Sequence, residues 1–208
     1  MRWPPSRLSC LVCSGIICRT VRQSHGMHQE EELMTFTPSE METLDRIEEE
    51  AGACVVKLHG CARCALLAVG RNLELADDEC LDTALRAGIT LSGGIAGTRN
   101  HCGAMLGGIM AIGIAGIKNS PRQDTTTETK AATAISKQFY RRFEREIGHA
   151  QCRDIRDAAL GRPFDTSDPD EARKYEEAGG LELCRGIVGK GARMAAEMIL
   201  ESRRDAKA

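Results

Sequence analysis

Between Cys102 and Ile117 the chain runs for sixteen residues, CGAMLGGIMAIGIAGI, without one charged, amide or hydroxyl side chain. A helix that is apolar all round has to be surrounded all round once the chain folds. The stretch is shorter than the roughly 20 residues that cross a bilayer, and polar residues flank it closely, so it reads as a buried central helix. Gly103, Gly107, Gly108, Gly113 and Gly116 each weaken such a helix by about 1 kcal/mol relative to alanine. What they permit is close approach by other backbones or by a bulky group. The helix is therefore expected to be tightly surrounded.

The flanking sequence reads as helices. Thr37 can cap a helix with Pro38 at its first position and Glu40 three residues after the cap. Gly60 ends or kinks that helix just before Cys61. A second helix covers CARCALLAVGRNLEL, and Asp77 or Asp78 opens a third. SGGIAGTRN is a loop by its glycines, and SPRQDTTTET is a polar connection. Ala132, Ile135, Phe139, Phe143 and Ile147 recur at helical spacing, so a long amphipathic helix ends at Gly148. A short helix begins near Cys152. GRPFDTSDPDEARKYEEAGG reads mostly as loop, with a turn or two of helix after Pro169. A last helix carries Cys184, Ile187, Val188, Gly191 and Ala195 on one face. No alternating strand pattern of useful length occurs. The fold class expected is all-α: a single-domain antiparallel helical bundle of five to seven helices around the glycine-rich central helix.

The folded domain is expected over residues 35–208. Residues 1–34 have a basic start and a short apolar run but no clean small-residue cleavage site. They read as a disordered, upstream or leader segment, with Met27 and Met34 as alternative starts, and take Cys10, Cys13 and Cys18 out of the fold argument. A net charge of −2 and 3% aromatics offer little to a polyanion or to stacked bases, so nucleic acid is not an expected partner. No membrane span is expected, and the expected compartment is the cytoplasm. A glycine-faced helix in a chain of this size is compatible with a homodimer.

Ten cysteines are the compositional outlier. A helical interior with 42% hydrophobic residues does not depend on disulfide staples, so metal or redox use is the better reading. Cys61, Cys102, Cys152 and Cys184 each fall near a helix start. Unpaired N–H groups and the helix dipole there favour a thiolate, the form that metal binding and redox chemistry both require. Their long spacing means that only the tertiary fold could assemble them. Cys64 forms C-x-x-C with Cys61, a spacing that suits a dithiol or a substitute metal ligand. Cys54 and Cys80 read as small hydrophobes. His101, Arg153 and Arg185, each next to one of the four cysteines, and His59, two residues before Cys61, read as surface or supporting residues. Phe139, Tyr140 and Phe143 read as core and boundary.

GCARCALLAV, then GGIAGTRNHCGAMLGGIMAIG, then CRDI, then a cysteine in a terminal helix together resemble the C_GCAxxG_C_C family. These proteins are named for their cysteines and a CGAxxG motif, here Cys102-Gly103-Ala104-Met105-Leu106-Gly107. The likeness covers about residues 45 to 200, and the family's four cysteines fall on Cys61, Cys102, Cys152 and Cys184. Cys64 departs from the family's usual pattern. Related domains occur in split-Soret-type cytochromes, which combine haem with an iron–sulfur cluster. The resemblance thus implies that these four cysteines hold an iron–sulfur cluster for electron transfer with an unidentified redox partner protein. Two alternatives stay open: a metal-free thiol–disulfide protein using Cys61 with Cys64 or Cys102, and a structural zinc module. C-type haem is not expected, because neither C-x-x-C is followed by histidine. No phosphate loop, Ser–His–Asp order or paired-carboxylate signature points to an enzymatic step.

Overall fold

A computed structural model describes residues 36–120 and 122–206. The expected leader segment 1–34, with Cys10, Cys13, Cys18, Met27 and Met34, lies outside the described residues. The helices are α1 (Pro38–Leu58), α2 (Cys61–Asn72), α3 (Asp78–Gly88), α4 (Gly103–Gly116), α5 (Thr126–Ile147), α6 (Cys152–Leu160), α7 (Pro169–Glu177) and α8 (Gly180–Asp205). A 3-10 turn, Ile89–Leu91, extends α3. The expected all-α bundle is what forms, with α7 as the helix beyond the expected number. Among the described residues no helix is long and apolar enough to cross a membrane.

Helix ends follow local chemistry. Thr37 and Glu40 form a reciprocal capping box: the Glu40 N–H donates to Thr37 Oγ1 at 3.3 Å, and the Thr37 N–H donates to Glu40 Oε2 at 2.8 Å. His59 (φ 57°) and Gly60 (φ 84°) then turn the chain left-handedly from α1 into α2. Asp77 caps α3 by accepting the Cys80 N–H at 2.8 Å. This cap leaves Cys80 on the solvent side of the first turn, so Cys80 is exposed rather than a core residue. α5 starts six residues before its apolar repeat, because Asp124 accepts both the Thr126 N–H (2.9 Å) and its hydroxyl (2.6 Å).

α4 touches α2, α5 and α8, while α1 lies along α8 and α2. Leu44, Ile47, Leu66, Met105, Ile112, Phe139 and Phe143 are fully buried between them. Gly103 and Gly107, four residues apart, share one face of α4. A methyl at Gly103 would lie 3.0 Å from Cys61 Cβ, and one at Gly107 would overlap the Ala62 carbonyl oxygen. α4 therefore rests directly on the first turn of α2, and this contact brings the start of one helix to the start of the other. Gly108 faces the Phe139 ring and Gly116 faces Ala132. These close-packing positions are thus used within the chain.

The first and last helices are tied by an ion pair from Arg204 of α8 to Glu40 of α1. The Arg204 guanidinium, with the Thr37 N–H, holds the Glu40 carboxyl at about 2 instead of its ordinary 4.5. A carboxylate held low stabilises the fold above its unfolded value and loses that contribution as pH falls through its folded value. Both side chains are partly exposed, so the effect is small. Glu40→Gln is expected to lower the melting temperature by roughly 1–3 °C at pH 7. The gap to the parent should close as pH drops from about 4.5 towards 2. Thermal melts across that range check it. A gap that persists at pH 2 would remove the ion pair as its cause.

A candidate four-cysteine site

The loop before Cys102 is wound left-handedly. Gly93, Gly94, Ile95, Ala96 and Gly97 all have φ between 52° and 75°, and Arg99 has φ 61°. Residues with a Cβ rarely adopt that region, and β-branched ones least of all, so the surroundings must hold the loop in place. An ion pair from Arg99 to Asp157 of α6 does so. Residues 99–102 also run antiparallel to residues 150–153. The Cys102 N–H donates to Ala150 O (2.9 Å), the Cys152 N–H to Asn100 O (2.7 Å) and the Arg153 N–H to Arg99 O (3.0 Å). These bonds set Cys102, the N-cap of α4, beside Cys152, the first residue of α6.

Cys61 is the first residue of α2, and Cys184 lies about one turn into α8. Cys184 is the largest influence on the Cys61 thiol, which also feels the charge of Cys102 and Cys152. The four sequence-predicted cysteines therefore meet in one region. Cys102 is buried and the other three are half-buried.

Their protonation is uneven. Cys184 and burial push the Cys61 thiol well up. Cys184 is drawn the other way, to about 6, by Cys61 first and further by Tyr175 and Arg156. Burial pushes Cys102 up to about 12, against the Ala104 and Met105 N–H groups at the start of α4. Burial also raises Cys152, and Arg156 opposes that rise.

Two residues that the sequence reading passed over complete the site. Tyr175 of α7 places its hydroxyl 3.1 Å from Cys184 Sγ and 2.7 Å from Gly180 O. The Gly180 carbonyl can only accept, so it takes the single hydroxyl proton, and a protonated Cys184 donates its S–H to the Tyr175 oxygen. Arg156 of α6 lies flat on the Tyr175 ring, 3.9 Å from its centroid. It is only 6% exposed, yet its Nε and Nη2 have no hydrogen-bond partner among the described residues. A buried cation with unpaired N–H groups is costly, and the groups that feel its charge are the thiols of Cys152 and Cys184. The signal for Arg156 was its place four residues after Cys152, on the same helix face. Tyr175 gave no such signal.

Cys64 is not part of this group. It is bridged to Cys54 of α1, with 5.5 Å between the two Cα atoms. Cys61 heads α2 where α8 arrives, whereas Cys64 lies one turn deeper, where α1 passes. The pairing of Cys61 with Cys64, and the use of Cys64 as a substitute ligand, are therefore not what forms. His59 caps α1 in an exposed position, and His101 sits with its ring 6.1 Å from that of Tyr140. Arg153 pairs with Asp154 and Arg185 with Glu49, both at the surface.

The donor set is all thiol, which suits iron–sulfur clusters or zinc. As they stand, no three His, Cys, Asp or Glu side chains among the described residues are gathered closely enough to hold a metal ion. Metal binding would thus draw these thiols inward and ionise them. A family model described as "Putative redox-active protein (C_GCAxxG_C_C)" matches residues 59–198. No curated protein and no solved structure matches the chain.

Proposed function

The chain belongs to the C_GCAxxG_C_C family, and on that premise we propose that its four-cysteine site binds an iron–sulfur cluster for electron transfer. One observation carries the reading: four thiols from four separate helices meet beside a single buried arginine with unpaired N–H groups. Cys61, Cys102, Cys152 and Cys184 would be the ligands. When bound, such a cluster supplies a one-electron carrier whose potential depends on charge, hydrogen bonds to sulfur and exposure.

The chain's own part is electrostatic and steric. Arg156 balances negative charge gathered on sulfur. The N–H groups of Ala104 and Met105 stabilise the Cys102 thiolate. Tyr175 bonds to Cys184 Sγ and is itself backed by Arg156. In this reading the protein works in the cytoplasm and exchanges electrons with a partner redox protein. A second reading has an observation of its own. Cys61 and Cys184 are each the leading influence on the other's thiol, so a metal-free protein could cycle these two between dithiol and disulfide. Structural zinc would use the same four thiols.

Anaerobic purification followed by a visible spectrum and iron, sulfide and zinc analysis separates the three. The expected result is visible absorption with matched iron and sulfide, falling roughly tenfold or more in a Cys102→Ala variant. A colourless, iron-free protein that stays so after attempted reconstitution would sink the cluster. Stoichiometric zinc would then identify the structural-metal reading. Loss of two thiols on oxidation without metal, mapped to Cys61 and Cys184, would identify the dithiol.

A further inference from the structure

The Cys54–Cys64 disulfide lies apart from the four-cysteine site, on the wall of an open groove between α1 and α2. The groove holds about 440 Å³, within the roughly 300–1,000 Å³ of small-molecule sites. Its walls are Ala53, Leu58, Leu67 and Ala68, and Lys57 and Arg71 stand at its rim. Glu50 is the one carboxylate in the lining, and it already accepts from Asn72 Nδ2 at 2.7 Å. An apolar trough with two cations and a committed carboxylate favours an anionic guest.

We propose that this groove binds a small carboxylate-bearing thiol and that the Cys54–Cys64 disulfide exchanges with it. The two sulfurs are not equivalent. Cys54 is half-buried and open to the groove, while Cys64 is fully buried. An incoming thiolate therefore attacks Cys54 Sγ. The Cys54–Cys64 bond breaks as the bond from Cys54 to the incoming sulfur forms, and the electron pair leaves on Cys64 Sγ, which takes up a proton. Cys64 Sγ lies 3.3 Å from the His59 carbonyl oxygen, which accepts the new S–H once the bridge is open. A second molecule of the thiol then attacks the sulfur of the bound one. Cys54 leaves as a thiolate and takes up a proton, and a small-molecule disulfide departs. In total two thiols are oxidised to one disulfide, and the protein disulfide is reduced to Cys54 and Cys64 thiols. Run backwards, the same steps oxidise the protein.

The test treats the oxidised full chain with glutathione, which bears two carboxylates, or with cysteamine, which bears a cation, at equal thiolate concentration. Reduction of the 54–64 bridge and the site of any mixed disulfide are followed by peptide mapping. The proposal expects glutathione to open the bridge on the order of tenfold faster than cysteamine, with the adduct on Cys54. Lys57→Glu with Arg71→Glu should erase or reverse that preference while leaving the far-ultraviolet spectrum and melting temperature close to the parent. A Cys64→Ser chain exposed to oxidised glutathione should collect the adduct at Cys54. Equal rates for the two thiols, an adduct on Cys64 instead, or a bridge that persists in millimolar glutathione would each overturn the proposal. None of these outcomes depends on whether iron is bound at the four-cysteine site.

Discussion

Gly107→Ala is expected to destabilise the protein by about 3 kcal/mol or more, and Gly107→Val to leave little folded chain, because overpacking a close contact costs about 1–3 kcal/mol and sometimes more. The reason is local. A Cβ at this position would overlap the Ala62 carbonyl oxygen and crowd the Ala65 methyl. Backbone on one side and a short rigid side chain on the other cannot swing away, so α4 would have to lift from α2. Folded domains are stable by only about 5–15 kcal/mol, so the larger valine leaves little margin. Gly113 supplies the control. It lies on the same helix, but a methyl there would meet nothing within 4 Å. Gly113→Ala should therefore stabilise, by roughly 0.5–1 kcal/mol, through helix propensity alone. Urea denaturation of the two alanine variants decides the matter. Similar midpoints for both would show that the Gly107 contact is not what fixes α4. The contrast also gives the last glycine of CGAxxG a physical meaning: it sets the distance between the helices that carry Cys61 and Cys102.

How far the sequence could be read depended on whether a residue's partner was local. The Thr37–Glu40 box, the Gly148 stop and the apolar periodicity of Phe139 and Phe143 are all decided within a few residues, and each stands where its pattern put it. The crowding around α4 was legible because an all-apolar helix has no exposed face to spare. α7 was harder. Its nine residues, PDEARKYEE, have no apolar stripe, and only Asp168, accepting the Asp170 and Glu171 N–H groups, marks its start. Tyr175, its one large ring, belongs with Arg156 and Cys184, and no spacing rule links those three positions. Cys64 shows the opposite failure. The pairing with Cys61 was local and visible, yet the turn at His59 and Gly60 folds α1 back on α2 and presents Cys54 instead.

Arg156 should show opposite signs in two states of the same protein. Below about pH 6, where Cys184 also holds its proton, its buried guanidinium has unpaired Nε and Nη2 and little negative charge to face. Arg156→Met keeps the side-chain volume close and removes the charge. The metal-free variant is therefore expected to gain about 1–3 kcal/mol, since an uncompensated buried charge costs at least that much. The gain is offset in part by the lost stacking on Tyr175, worth roughly 0.5–2 kcal/mol. With four thiolates gathered on a metal or cluster the balance reverses, because the only buried cation beside them among the described residues has gone. Metal retention should then fall roughly tenfold or more. Urea melts of the metal-free chains read the first effect, and competition of the loaded chains against a chelator reads the second. A variant that is less stable without metal and unchanged in metal retention would make Arg156 a packing residue of the α6–α7 contact. The opposed signs would instead identify it as the counter-charge of a four-thiolate site, a part that no packing role can imitate.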